Sequence, residues 1–107
     1  MIKIKPGVIF KTLRPEIYGL FELIDDTFAD RGLDCWITSA QDGKHMKGSK
    51  HYEGLAIDLR SKNLPSKAEK RRVLEELKEG AGPDYDIILE GEGKLQEHFH
   101  AEFDPEV

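Results

Sequence analysis

The chain has 107 residues, 38% of them hydrophobic and 35% charged, and a formal net charge of −5. That is the composition of one globular domain with a modest core, not of a disordered chain. The negative balance argues against general nucleic-acid binding, because no global positive field attracts phosphate.

The opening MIKIKPGVIF is interrupted by Lys3, Lys5 and Pro6, so it has no uninterrupted apolar stretch of the kind a signal peptide needs. No run is long enough to cross a membrane. The expectation is a protein made in a cytoplasm, without a membrane partner and as a monomer. Residues 1–107 read as a single domain, without repeats or linkers.

Pro15 opens a helical pattern. Ile17, Leu20, Phe21, Ile24 and Phe28 recur at helical spacing, and Gly32 suits the stop. This stripe is read as core. CWITS then reads as a strand, and its Cys35, the single cysteine, as a buried small hydrophobe. A lone cysteine cannot form an internal disulfide. The polar loop AQDGKHMKGSK follows, then a second strand, GLAIDLR. Ser66 and Glu69 form an S-x-x-E capping box for a helix through about Lys78, ended by Gly80, Gly82 and Pro83. YDIILEG is a third strand, GEGK a turn and EHFHAEF a fourth strand. The order fits an α+β fold, a small antiparallel sheet with helices packed on one face.

The polar residues of these strands carry the chemistry. His51 lies at the mouth of the second strand and Asp58 within it, flanked by Ile57 and Leu59. A carboxylate among apolar strand residues needs a partner if buried. His98 and His100 are two apart on the last strand and so share a face. If the two strands are neighbours, His51, Asp58 and one of these histidines can meet as nitrogen and oxygen ligands of one zinc, with a position left open for water. Glu97 is the candidate general base and acid. Strict alternation places it opposite His100, so the role requires Glu97 to lie before the regular strand and turn inward. Otherwise it is a solvated glutamate at a strand start.

Ser49-Lys50-His51-Tyr52-Glu53-Gly54-Leu55-Ala56-Ile57-Asp58 resembles the S-x-H-x-x-G-x-A-x-D motif of the zinc D-Ala-D-Ala carboxypeptidase and L-alanyl-D-glutamate endopeptidase family, which shares its fold with the zinc domain of hedgehog signalling proteins. Glu97-His98-Phe99-His100 matches the second motif, E-x-x-H. The resemblance implies that His51, Asp58 and His100 bind Zn2+ and that Glu97 is the general base and acid. It implies that Ser49 helps hold the substrate and that His98 lines the site and polarises the scissile carbonyl or the oxyanion. Gly54 is expected to make a turn or a close backbone approach beside the metal.

One departure concerns the substrate. Relatives often carry an arginine soon after the ITS strand, in a pattern like S-G-x-R. Here the text is Ser39-Ala40-Gln41-Asp42. Gln41 and Lys44, or Lys47, are the candidates for that place, the lysines as point charges instead of a planar fork. Their alternative is a solvated loop.

The resemblance therefore implies a zinc metallopeptidase that hydrolyses a D-amino-acid-containing bond of peptidoglycan stem peptides through a metal-activated water. It would act at the bacterial cell wall after release, as a phage endolysin does, in a phage particle, or as a cytoplasmic dipeptidase. Two alternatives stay open at this point. One is a non-catalytic zinc-containing binding or structural module of the same fold. The other is a small α+β domain without metal.

Overall fold

A computed structural model describes residues 1–42 and 48–105. The elements in chain order are β1 (Ile2–Ile4), α1 (Pro15–Tyr18), α2 (Phe21–Ala29), β2 (Cys35–Ser39), β3 (Ala56–Arg60), α3 (Lys67–Ala81), β4 (Tyr85–Glu90) and β5 (His98–Phe103). They build an α+β domain around one five-stranded sheet of order β1-β2-β3-β5-β4. No helix among the described residues is long and apolar enough to cross a membrane.

The sheet is mixed, which corrects the expected antiparallel one. β2, β3, β5 and β4 do pair antiparallel, but β1 adds a parallel edge beside β2. A three-residue strand with one isoleucine on each side of Lys3 is too short for alternation to reveal it.

The expected first helix is two. α1 ends at Tyr18, and Gly19 and Leu20 form a turn before α2 begins. Both halves keep the apolar stripe, so Ile17, Leu20, Ile24 and Phe28 enter one core. α2 stops at Ala29, and Gly32 takes the left-handed conformation (φ 70°) just beyond it. There the amide of Leu33 donates back to the carbonyl of Phe28, which closes the helix end.

In α3 half of the capping box is used: the Glu69 amide donates to Ser66 Oγ at 3.1 Å, while the Glu69 carboxylate pairs with Arg31 and Arg72. The helix runs through Gly80 to Ala81, past the expected stop. A Cβ on Gly80 would lie 2.5 Å from Leu23 Cδ1, so this glycine lets α3 pack closely against α2. Arg31 reinforces the same seam through Glu69 and Glu76.

Strand alternation divides the sheet cleanly. Cys35, Ile37, Ile57, Leu59, Ile87, Phe99 and Ala101 share the core with the helices, and Phe28 meets Phe99 edge to face at 6.4 Å. Cys35 is fully buried, and burial pushes its thiol up to about 12, as suits an inert core residue. The opposite face carries the polar residues. On it Asp58 lies directly across from His100, and Arg60 across from His98, with β5 passing them on to Ile88 and Glu90 of β4. The β2–β3 pairing shifts register between Ile37 and Ser39, so Ser39 comes opposite Asp58.

Gly54 has its own constraint, in the turn that carries His51, where its amide donates to the His51 carbonyl at 3.1 Å. Its φ is 73°, and an added Cβ would lie 2.1 Å from the Thr12 carbonyl oxygen. The Arg14 amide donates to the Gly54 carbonyl at 2.9 Å, so the turn before β3 is seated on the segment leading into α1. Gly54→Ala should therefore cost roughly 3 kcal/mol or more, combining a left-handed residue with a backbone clash. Gly93 has φ 82° and nothing within 4 Å of an added Cβ. Gly93→Ala should cost only about 1 kcal/mol of backbone strain. Denaturant midpoints of the two variants, measured side by side, check the difference.

Candidate metal centre

Asp58 is the centre of the polar face. Its Oδ1 lies 3.1 Å from His51 Nε2 and 2.9 Å from His100 Nδ1. One ligand atom from each of these three residues lies within 4.8 Å of the others, a group that could hold a metal ion. β3 and β5 supply Asp58 and His100 as a cross-strand pair. His51 comes from the turn before β3, where its amide donates to Ser49 Oγ at 3.2 Å. The two imidazole centroids are 5.0 Å apart.

The outer nitrogens define what the inner ones can do. His51 Nδ1 lies 2.7 Å from the Ala40 carbonyl oxygen, which can only accept, so Nδ1 carries a proton. His100 Nε2 lies 2.7 Å from Glu102 Oε1 and donates to that carboxylate in the same way. A neutral imidazole so held points its remaining lone pair inward. Two lone pairs and a carboxylate oxygen then face one another, which is repulsive unless protons or a cation lie between them. Outer N–H groups anchored on a carbonyl and a carboxylate are how proteins orient histidine ligands of metals.

Without a metal, a proton on His100 takes that place. Burial alone would raise the Asp58 pKa, but hydrogen bonds from His100 and His51 hold it far below the usual carboxylate range. Burial alone would lower that of His100, and the Asp58 and Glu102 carboxylates instead carry it up to about 9. The site thus attracts positive charge strongly.

These three residues border an open cleft of about 460 Å³, with Ser49 and Lys50 at its mouth and Glu90, His98 and Glu102 along its wall. His98 Nδ1 lies 2.8 Å from the Gln96 carbonyl. Its Nε2 faces Asp58 Oδ2 at 3.7 Å and Glu90 Oε2 at 3.5 Å. Ser49 and His98 thus line the same cleft as the triad.

Glu97 and Gln41 are placed otherwise. Glu97 obeys strict alternation and turns away from the triad toward α3. There it accepts from Ser61 Oγ at 2.6 Å and the Gly93 amide at 2.8 Å, and it pairs with Lys70 Nζ at 2.7 Å. Burial would raise its pKa, but these partners bring it down to about 2, the state of a fixed structural carboxylate. Gln41 is buried, and its Oε1 accepts from the amides of Lys11 and Thr12 at 2.8 and 2.7 Å. It ties down the segment before α1, and its Nε2 donates to Thr12 Oγ1 at 3.1 Å. Lys44 and Lys47 lie outside the described residues.

Glu90 is the residue that the strand readings passed over. Alternation along Asp86, Ile88 and Glu90 puts it on the site face, and pairing with His98 brings it to the cleft. The signal was present in YDIILEG, but only the β4–β5 register turns it into a position.

Glu97 generates a pH dependence. Its folded pKa is depressed from 4.5 to about 2, so its contribution to stability is complete above about 4.5 and is lost as pH falls toward 2. The shift bounds that contribution at about 3 kcal/mol. Urea midpoints of wild type should fall more steeply than those of Glu97→Gln across this acidic window, and parallel curves would contradict the assignment.

No protein-family model, curated protein or solved structure matches this chain.

Proposed function

We propose that the chain is a zinc-dependent peptidase with a hedgehog/DD-peptidase-like fold, hydrolysing a D-amino-acid-containing bond in peptidoglycan stem peptides at the bacterial cell wall. The observation that carries this reading is the convergence of His51 Nε2 and His100 Nδ1 on Asp58 Oδ1, with both outer nitrogens committed to acceptors. Two imidazoles and one carboxylate suit zinc by ligand chemistry, and three protein ligands leave a position for catalysis. His51, Asp58 and His100 would hold the ion. When bound, zinc supplies a Lewis acid that polarises a carbonyl and acidifies a water.

The chain's own groups divide the remaining work. Glu90 is half exposed, on the site face and within reach of His98, so it suits the transfer of a proton from water to the leaving amine. His98, between Asp58 and Glu90, keeps that carboxylate over the cleft and can donate to a developing oxyanion. Ser49 uses its oxygen to accept from the His51 amide, which leaves its O–H to donate to the substrate. Glu102 fixes the ring of His100.

A second reading is a zinc-containing binding module without catalysis. It is favoured by Glu97 and Gln41, both of which serve the fold instead of the cleft. The two readings differ at Glu90.

Elemental analysis of purified protein should find about one zinc per chain, lost in His51→Ala. A zinc-free wild type after reconstitution would remove both readings. Against peptidoglycan fragments and small D-dipeptides, Glu90→Gln should lower kcat by roughly 10²-fold or more while zinc content is kept. Glu97→Gln should lose stability yet leave kcat of the folded protein unchanged. A zinc-loaded wild type inert on all these substrates would favour the binding module, and loss of kcat in Glu97→Gln would restore Glu97 as the base.

A further inference from the structure

His98 repeats, at the outer oxygen of Asp58, what His51 and His100 do at the inner one. It opens β5 and lies directly across from Glu90, the last residue of β4. Its Nδ1 faces the Gln96 carbonyl oxygen at 2.8 Å, an acceptor only, so Nδ1 carries a proton. Nε2 is thereby aimed at the cleft, where it meets Asp58 Oδ2 at 3.7 Å and Glu90 Oε2 at 3.5 Å. This is the anchoring by which proteins orient a histidine ligand.

The separations bear on what lies between these atoms. A hydrogen bond from N–H to a carboxylate oxygen spans about 2.7–3.2 Å, so neither contact is one. Two ligands of a tetrahedral zinc, each roughly 2.0–2.1 Å from the ion, lie roughly 3.3–3.4 Å apart. The contacts of Nε2 are near that spacing. The neighbouring cations do not oppose an ion here. Arg60 pairs with His98 from β3, but its guanidinium leans toward β2 and lies over the Trp36 ring at 4.8 Å. Lys50, at the mouth of the cleft, is paired with Glu53. Glu90 is half exposed on an edge strand, so a change of rotamer brings its carboxylate in as the third ligand.

We propose that Asp58 Oδ2, His98 Nε2 and Glu90 form a second, weaker zinc site, in which Asp58 bridges two ions. Ions held in pairs by proteins are typically about 3.5–4 Å apart. The second site is the weaker one because Asp58 already shares its charge with the first ion and Glu90 must give up its side-chain freedom. The site itself goes beyond the peptidase reading. Its effect on turnover rests on that reading: an ion there takes the nitrogen and the carboxylate that would serve the oxyanion and the leaving amine. The first equivalent of zinc then activates and the second inhibits.

The test titrates metal-free protein with zinc, followed by calorimetry and by amide chemical shifts. Wild type should bind two ions, the second at least tenfold more weakly and with shifts at the Glu90 and His98 amides. His98→Gln and Glu90→Gln should each keep the first ion and weaken the second at least tenfold. Glu90→Gln, at a half-exposed residue, serves alone should His98→Gln fail to fold. On peptidoglycan fragments, wild-type activity should rise to one equivalent and fall beyond it. A single ion bound up to millimolar zinc, or a second ion indifferent to both substitutions, overturns the site and leaves the peptidase reading standing. If two ions bind as described but no peptide is hydrolysed, the site stands and the catalytic reading falls.

Discussion

A carboxylate in the middle of a strand, between two apolar neighbours, must be answered by positive charge. Asp58 sets that requirement, and much of the polar face is arranged around it. His100 faces it from the adjacent strand, His51 reaches it from the preceding turn and His98 approaches its second oxygen. A single buried acid would be costly. With two oriented imidazoles it becomes a group that could hold a cation. Glu102 and the Ala40 carbonyl then fix the rings from outside, so the demand at one oxygen spreads over β2, β3 and β5.

The division of the sheet into two faces makes this possible. Helices cover one side, and the core cluster there fixes the register of every central strand. A slip of one residue would turn Asp58 and His100 toward Phe28 in the core, and Leu59 and Phe99 out of it. Hydrophobic pairing of Ile57 with Ala101 and of Leu59 with Phe99 therefore specifies the polar pairing on the other side. The same rule decides Glu97. One residue before His98, it belongs to the helical side, and Ser61, Lys70 and the Gly93 amide receive it there.

Much of this was legible in the sequence. Alternation in AIDLR and HFHAEF gave both strands and the common face of Asp58, His98 and His100, because period two is a local property. The capping serine and the glycine beyond α2 were likewise local. What the sequence did not carry was long-range. Glu90 enters the cleft only through its register against β5, and Gln41 is occupied by amides about 30 residues away. Gly54 was readable as a special backbone position, but its neighbour, Thr12, was not. The parallel edge strand, three residues long, had no pattern to read.

The ligands are unequal in their mechanical support. Asp58 and His100, with His98, Glu90 and Glu102 around them, stand on three strands bonded side by side. His51 alone stands on a turn, seated on the chain before α1 through Gly54 and Arg14. Local opening of such a turn ordinarily takes less free energy than opening the central strands. An ion held by both would narrow that difference, because the turn could no longer open without breaking the bond from His51 to the ion. Hydrogen exchange at residues 50–55 would then slow toward that of β3 and β5, so occupancy of the centre would be written in the dynamics of the loop, not in those of the sheet.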